Sequence, residues 1–114
     1  MDDLGRVVVV AAGFALWKGG RCIAAARWAD IQQLRAYRPA NTASGSIRLV
    51  ITLADGSVLE ANEDAPGFDA FLDRGSATLS GLLPLASWHP ALVLATPGSD
   101  GTVIFERATP KRRR

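Results

Sequence analysis

The sequence holds one histidine and one cysteine, which narrows the catalytic chemistry open to it. His89 could act as a general base beside a carboxylate. It stands between Trp88 and Pro90, and so apolar a setting also suits a half-buried connector that packs Trp88 against a helix. Cys22 precedes Ile23 and a run of alanines, a strand context in which a thiol is usually an inert core group. One cysteine forms no internal disulfide and suits a reducing compartment. One of each leaves no four-ligand zinc site, and no cofactor or metal is expected.

The acidic set is Glu60, Glu63, Asp64, Asp69 and Asp73. Asp69 and Asp73, four residues apart, share one face of a helix. Paired carboxylates can hold a divalent cation or work as acid and base. Their spacing fits neither a calcium loop nor an HExxH helix. A solvated helix start, favoured by the helix dipole, accounts for them equally well. A small hydrolase would need His89 to meet Glu63, Asp69 or Asp73 in a pocket.

Among basic residues, the turn Lys18-Gly19-Gly20-Arg21 with Arg27 behind it is the most suggestive. Glycines let backbone N–H groups approach an anion, although a solvated hairpin tip has the same composition. Arg35, Arg38 and Arg48 with Tyr37 would form a basic-aromatic face if their strands pair, a surface type that binds nucleic acid. Charge distribution argues against that partner. Four of the 13 basic residues are the terminal Lys111, Arg112, Arg113 and Arg114. Residues 1–110 then hold 9 basic against 11 acidic groups, a net of −2. The body is slightly acidic and the basic run is a tail, which adds only salt-dependent attraction. Trp17, Trp28 and Trp88 are large amphipathic side chains. Any that reaches the surface would mark an interaction patch; otherwise they are core.

The 114 residues, 48% apolar and 21% charged, suit one folded domain, here residues 1–110 with a tail at 111–114. Only two lysines among many alanines resemble coding from a GC-rich bacterial genome. The run Val7–Trp17 is eleven residues long, short of the roughly 20 that a helical span needs. The preceding Met1-Asp2-Asp3-Leu4-Gly5-Arg6 lacks the positive charge of a secretory leader. The run is therefore read as structure, and the protein is expected in the cytoplasm.

The elements follow from periodicity. Val7–Val10 is a β-branched run that predicts a covered strand continuing through Phe14 and Leu16, with a bulge at Gly13. The glycine pair turns it into a second strand, Arg21–Trp28. Residues 30–38 read either as a short helix capped by Asp30 or, preferably, as a strand ended by Pro39. Ile47, Leu49, Ile51 and Leu53 alternate with wetter residues, and Asp55-Gly56 then predicts a hairpin into residues 57–61. Phe71, Leu72, Leu79 and Leu82 fall on one helical stripe, so a helix is expected around residues 67–80. Asp64 would cap it and Gly81 would stop it. Gly75 would weaken it by about 1 kcal/mol, or mark its approach to the sheet. Residues 91–96 and 102–107 read as a last hairpin. The sum is an α+β domain: a curved, mostly antiparallel sheet of about seven strands, a roll or partly open barrel, with one helix over it.

Trp28-Ala29-Asp30-Ile31 followed by Gln32-Gln33-Leu34 resembles a "W-x-D-I-x-x-L" step between strands in bacterial pleckstrin-homology-like and GRAM-like domains. The strand at 47–53, the Asp55-Gly56 turn, the acidic stretch Glu60 to Asp64 and the aromatic helix start at Phe68 extend the likeness over residues 6–107. Placing the helix before the final two strands departs from that family. The resemblance implies a non-enzymatic module that binds a protein segment or an anionic headgroup, the first hairpin supplying phosphate-gripping basic residues. The expected partner is another protein, as for an accessory or immunity-type protein, or a second copy through a sheet edge. The candidate binding residues are Lys18, Arg21, Arg27, Trp28 and Trp88.

Overall fold

The computed structural model describes residues 5–40 and 45–107; the expected basic tail lies outside them. Seven strands and two helices follow one another along the chain. The strands are β1 (Arg6–Val9), β2 (Gly13–Lys18), β3 (Arg21–Arg27), β4 (Ile31–Tyr37), β5 (Arg48–Leu53), β6 (Val58–Asn62) and β7 (Thr102–Glu106). The helices α1 (Phe68–Thr78) and α2 (Leu85–Leu94) lie between β6 and β7. All pairings are antiparallel, in a three-stranded sheet β1-β2-β3 and a four-stranded sheet β6-β5-β4-β7. The fold is thus α+β and hairpin-built, as expected, but divided into two sheets with no closed barrel.

The division falls at a 3-10 turn, Trp28–Asp30. The Trp28 amide still donates to Ala12, in the turn joining β1 and β2, at 3.2 Å, whereas the Asp30 carbonyl accepts from Ala54, beside the second sheet, at 2.8 Å. Trp28 is buried there and fixes the crossing. The preferred strand at 31–38 is correct, and Asp30 belongs to the turn that precedes it.

Seven strands were expected and seven are found, through two compensating differences. The first apolar run folds back on itself: Val10 and Gly13 exchange backbone hydrogen bonds of 2.9 and 3.3 Å around Ala11-Ala12. It yields two strands, and the register shift falls opposite Leu16 and Trp17, not at Gly13. Conversely, residues 91–94 are the end of α2 rather than a strand, so β7 has no hairpin partner and pairs with β4. The expectation of one helix is corrected to two.

The core lies between the sheets. Leu49 and Ile51 of β5 face inward with Leu34 and Ala36 of β4, all four fully buried. That is the period of two visible in the sequence. Helix α1 seals the open side with Phe68, Phe71 and Leu72. Phe71 meets Phe14 edge-on at 5.0 Å and Trp28 at 5.3 Å. Gly67, not Asp64, stands at the helix N-cap, and the Asp64 carboxylate instead accepts the Ser46 hydroxyl. The helix ends at Thr78, before Gly81. Gly75 packs against Leu82 rather than against the sheet.

Candidate binding site

The tip of the first sheet is built by the Gly19-Gly20 turn, whose φ values of 60° and 77° suit the twist of a two-residue hairpin. It sets Lys18 directly opposite Arg21. Neither has a carboxylate partner among the described residues. Arg6 and Trp17 stand next to them, in register with each other. With Lys18, Ile23 and Glu60 they border a crevice of about 80 Å³ between the hairpin and β6. Trp17 and Ile23 are exposed, Ile23 by 60%.

Arg27 does not join this group. It ends β3, six residues beyond Arg21, a separation of roughly 20 Å at about 3.3 Å per residue. Its guanidinium and its backbone amide all contact the Asp30 carboxylate at 3.3 Å. The hydrogen bonds from Arg27 hold Asp30 below its ordinary carboxylate range. Trp28 and Trp88 are 3% exposed and sit in the core, so among the tryptophans only Trp17 reaches solvent. Cys22, expected to be an inert core thiol, is instead exposed.

Strand β3 is an open edge. Among the described residues, β1 and β7 on the outer sides of their sheets are covered: Val7 donates to Pro66 at 2.8 Å, and Leu83 donates to Ile104 at 2.9 Å. Among the described residues no segment does this for β3 or for the other edge, β6; five of the seven residues of β3 are exposed, against two of the five of β6. Across the face of the same sheet, over β1, β2 and the Arg27 end of β3, lies an apolar cleft of about 410 Å³ lined by Val8, Val10, Phe14, Ala15 and Ala25, with Arg27 and Asp30 among its lining. Sequence reasoning expected an exposed sheet edge without placing it, and missed the cleft. The signal was present, since Ala24-Ala25-Ala26 is too small to fill a core and marks a strand with little to bury.

The other candidates take structural positions. His89 Nε2 lies 3.0 Å from Glu63 Oε1, while Glu63 Oε2 accepts the Ile47 amide at 2.6 Å. Glu63 thereby ties α2 to the start of β5. Asp69 and Asp73 are exposed on α1 and form no ion pair among the described residues. Arg35, Arg48 and Tyr37 do gather as their strands pair, but around an acid: Tyr37 donates to Glu60 at 2.7 Å and Arg48 at 3.2 Å. Arg38 turns away to the end of α2. None of the helices among the described residues is long and apolar enough to cross a membrane. Compared with protein-family models, curated proteins and solved structures, the chain matches none.

Proposed function

We propose that this chain is a non-enzymatic binding module that takes another protein along the β3 edge. The observation that carries the reading is the contrast between edges: among the described residues β1 and β7 each form a backbone hydrogen bond with another segment of their own chain, and of the two edges that do not, β3 and β6, only β3 is exposed over most of its length. Folded proteins shield long open strands because unpaired N–H and C=O groups recruit other chains. A seven-residue edge left bare, with an exposed isoleucine and an adjoining apolar cleft, suits strand addition by a partner. A relationship to pleckstrin-like or GRAM-like domains belongs to the same proposal. An antiparallel module with a covering helix is an architecture that such binding domains use.

Two other readings draw less support. An anionic headgroup would find Lys18 and Arg21, but Arg27 is occupied by Asp30 at the far end of the strand. A hydrolase would use His89 with Glu63, a carboxylate that already holds the Ile47 amide. Neither residue lines the clefts described above.

The single thiol provides the test. Alkylation of Cys22 by a maleimide is to be followed with and without a protein co-purified from native extract. A true partner slows alkylation and is lost by Ile23→Asn, which alters only an exposed side chain. A co-purified protein that leaves Cys22 fully reactive and survives Ile23→Asn refutes the reading.

A further inference from the structure

We infer that the outward face of α2 is an interface between two copies of this chain, which pair as antiparallel helices about a two-fold axis at Pro90. This surface lies on a different element from the β3 edge, and the inference does not rest on that reading.

The two helices divide their surfaces differently. Helix α1 turns Phe71 and Leu72 inward and exposes Asp69, Asp73 and Arg74, the ordinary division for a helix between core and water. Helix α2 buries Trp88 and Leu92, yet its other side carries no charge. Ala86, Ser87, Pro90, Val93 and Leu94 are all exposed, Leu94 by 86%. At about 3.6 residues per turn they fall within roughly 120° of one another, opposite Trp88 and Leu92. From Gly75 to Ser99 the sequence holds no aspartate, glutamate, lysine or arginine.

Composition and shape both select a second copy as the occupant. Homodimer interfaces are more apolar than a protein's general surface and depleted of charge at their centre, whereas an interface with a transient partner is no more apolar than its surroundings. A helix that lies on lipid carries lysine or arginine on its polar side. Here α2 and its flanks have none, and the Arg38 guanidinium beside them is engaged by the Val93 and Ala95 carbonyls. The face is also complementary to itself. In an antiparallel pair centred on Pro90, Ala86 meets Leu94 of the other copy and Ser87 meets its Val93. Each large side chain then sits over a small one, which allows the close approach of packed helices. The Ser87 hydroxyl already donates to the Pro84 carbonyl at 2.8 Å, and Pro90 has no amide hydrogen, so neither brings an unmatched donor into the contact. A two-fold pair covers both faces at once and is closed to further copies. The ridge from Ala86 to Leu94 is about 12 Å long, shorter than an interface of about 800 Å² a side requires, so the dimer is a reversible one.

Sedimentation equilibrium of the full chain, loaded from about 10 µM to about 1 mM, should show monomer passing to dimer and no larger species. A Val93→Glu, Leu94→Glu double variant should stay monomeric throughout. Both positions are exposed, and circular dichroism verifies that the variant is folded. Disulfide trapping in a Cys22→Ser background reads the geometry. Pro90→Cys, on the axis, should oxidise to a covalent dimer. Ala86→Cys should not, because the two equivalents lie about 12 Å apart along the helices, beyond disulfide reach; Ala86→Cys combined with Leu94→Cys should. A chain that stays monomeric at every concentration overturns the inference and leaves the β3 edge untouched. So does a dimer that survives the glutamate substitutions but dissociates with Ile23→Asn, which puts the second copy on β3. A dimer lost with the glutamates in which Pro90→Cys fails to cross-link overturns the two-fold arrangement. Monomer that binds phosphatidylserine vesicles only while Val93 and Leu94 are intact means that lipid, not a second copy, covers the face.

Discussion

Gly67 stands against Val7 so closely that a Cβ at Gly67 would lie 1.8 Å from the Val7 carbonyl oxygen. Its φ of +90° is also one that side-chain-bearing residues rarely adopt. The contact is held from the neighbouring residue, where the Val7 amide donates to Pro66 at 2.8 Å. This is how α1 is set on β1 and how the edge of β1 is closed.

Gly67→Ala should therefore be among the most damaging single substitutions in the chain. The backbone conformation alone costs about 1–3 kcal/mol for a residue with a Cβ, and the overlap with Val7 adds to it. Urea unfolding should show a midpoint lowered accordingly. Gly56→Ala is the comparison, because Gly56 also has positive φ but no atom within 4 Å of its would-be Cβ. Equal losses in the two variants would mean that conformation, not the close approach, sets the cost.

Phe71 ties the helix to the first sheet and to the turn that divides the sheets, since Phe14 and Trp28 both touch it. It is 1% exposed. Phe71→Ala should cost about 3–5 kcal/mol, while Phe71→Leu, which refills most of the volume, should cost clearly less. Trp28 lies against it, so tryptophan fluorescence should shift to longer wavelength as water reaches the indole. Retained stability in the alanine variant would contradict the packing described.

Legibility followed local chemistry. Asp55-Gly56 and the alternation from Ile47 to Leu53 were readable because a tight glycine-bearing turn and a half-buried strand each impose a pattern within a few residues, although the loop closed by Leu53 and Ser57 holds three residues rather than two. Phe71 and Leu72 were readable as a helical face for the same reason. Helix α2 was not. Its segment Leu85–Leu94 is apolar on all sides and contains Pro90, which cannot donate to the Ala86 carbonyl. Neither a stripe nor a cap announces it, and Ala91–Leu94 alone resembles a strand. The division into two sheets was hidden because it depends on where Trp28 is buried, a tertiary event. Among the site residues, Lys18 and Arg21 could be placed from the turn they flank. The openness of β3 could not, because an edge is defined by which strands fail to pair.

What holds α2 despite Pro90 is Arg38, whose Nη1 donates to the carbonyls of Val93 at 2.7 Å and Ala95 at 3.0 Å. These carbonyls lie at the helix end, where a cation is favoured. Arg38→Ala should cost about 1.5–3 kcal/mol, the range for hydrogen bonds to charged groups. Amide exchange should quicken in residues 85–95 before the strands are affected. Arg38→Lys should recover only part of the loss, since an ammonium cannot reproduce the planar fork. Exchange that rises equally in β4 and β5 would argue against a local role.

Tyr37 is the only tyrosine, so its ionisation can be followed alone by phenolate absorbance. Its hydroxyl donates to Glu60 at 2.7 Å, and this hydrogen bond, with partial burial and the nearby carboxylate charge, holds the phenol above its ordinary value near 10.0. Arg48 and Arg35 pull the other way and do not prevail. The folded protein thus grips the phenolic proton more tightly than the unfolded chain does. The resulting stability is complete below the unfolded value and is lost as pH rises through the higher folded one. The absorbance midpoint should lie above that of the urea-unfolded chain, and Glu60→Gln should bring the two together. Tyr37→Phe should flatten the alkaline limb of the stability curve, and the loss it causes should already be present in full at neutral pH, where the Glu60 bond is intact. A folded midpoint at or below the unfolded one would mean that Arg35 and Arg48, not Glu60, govern this surface.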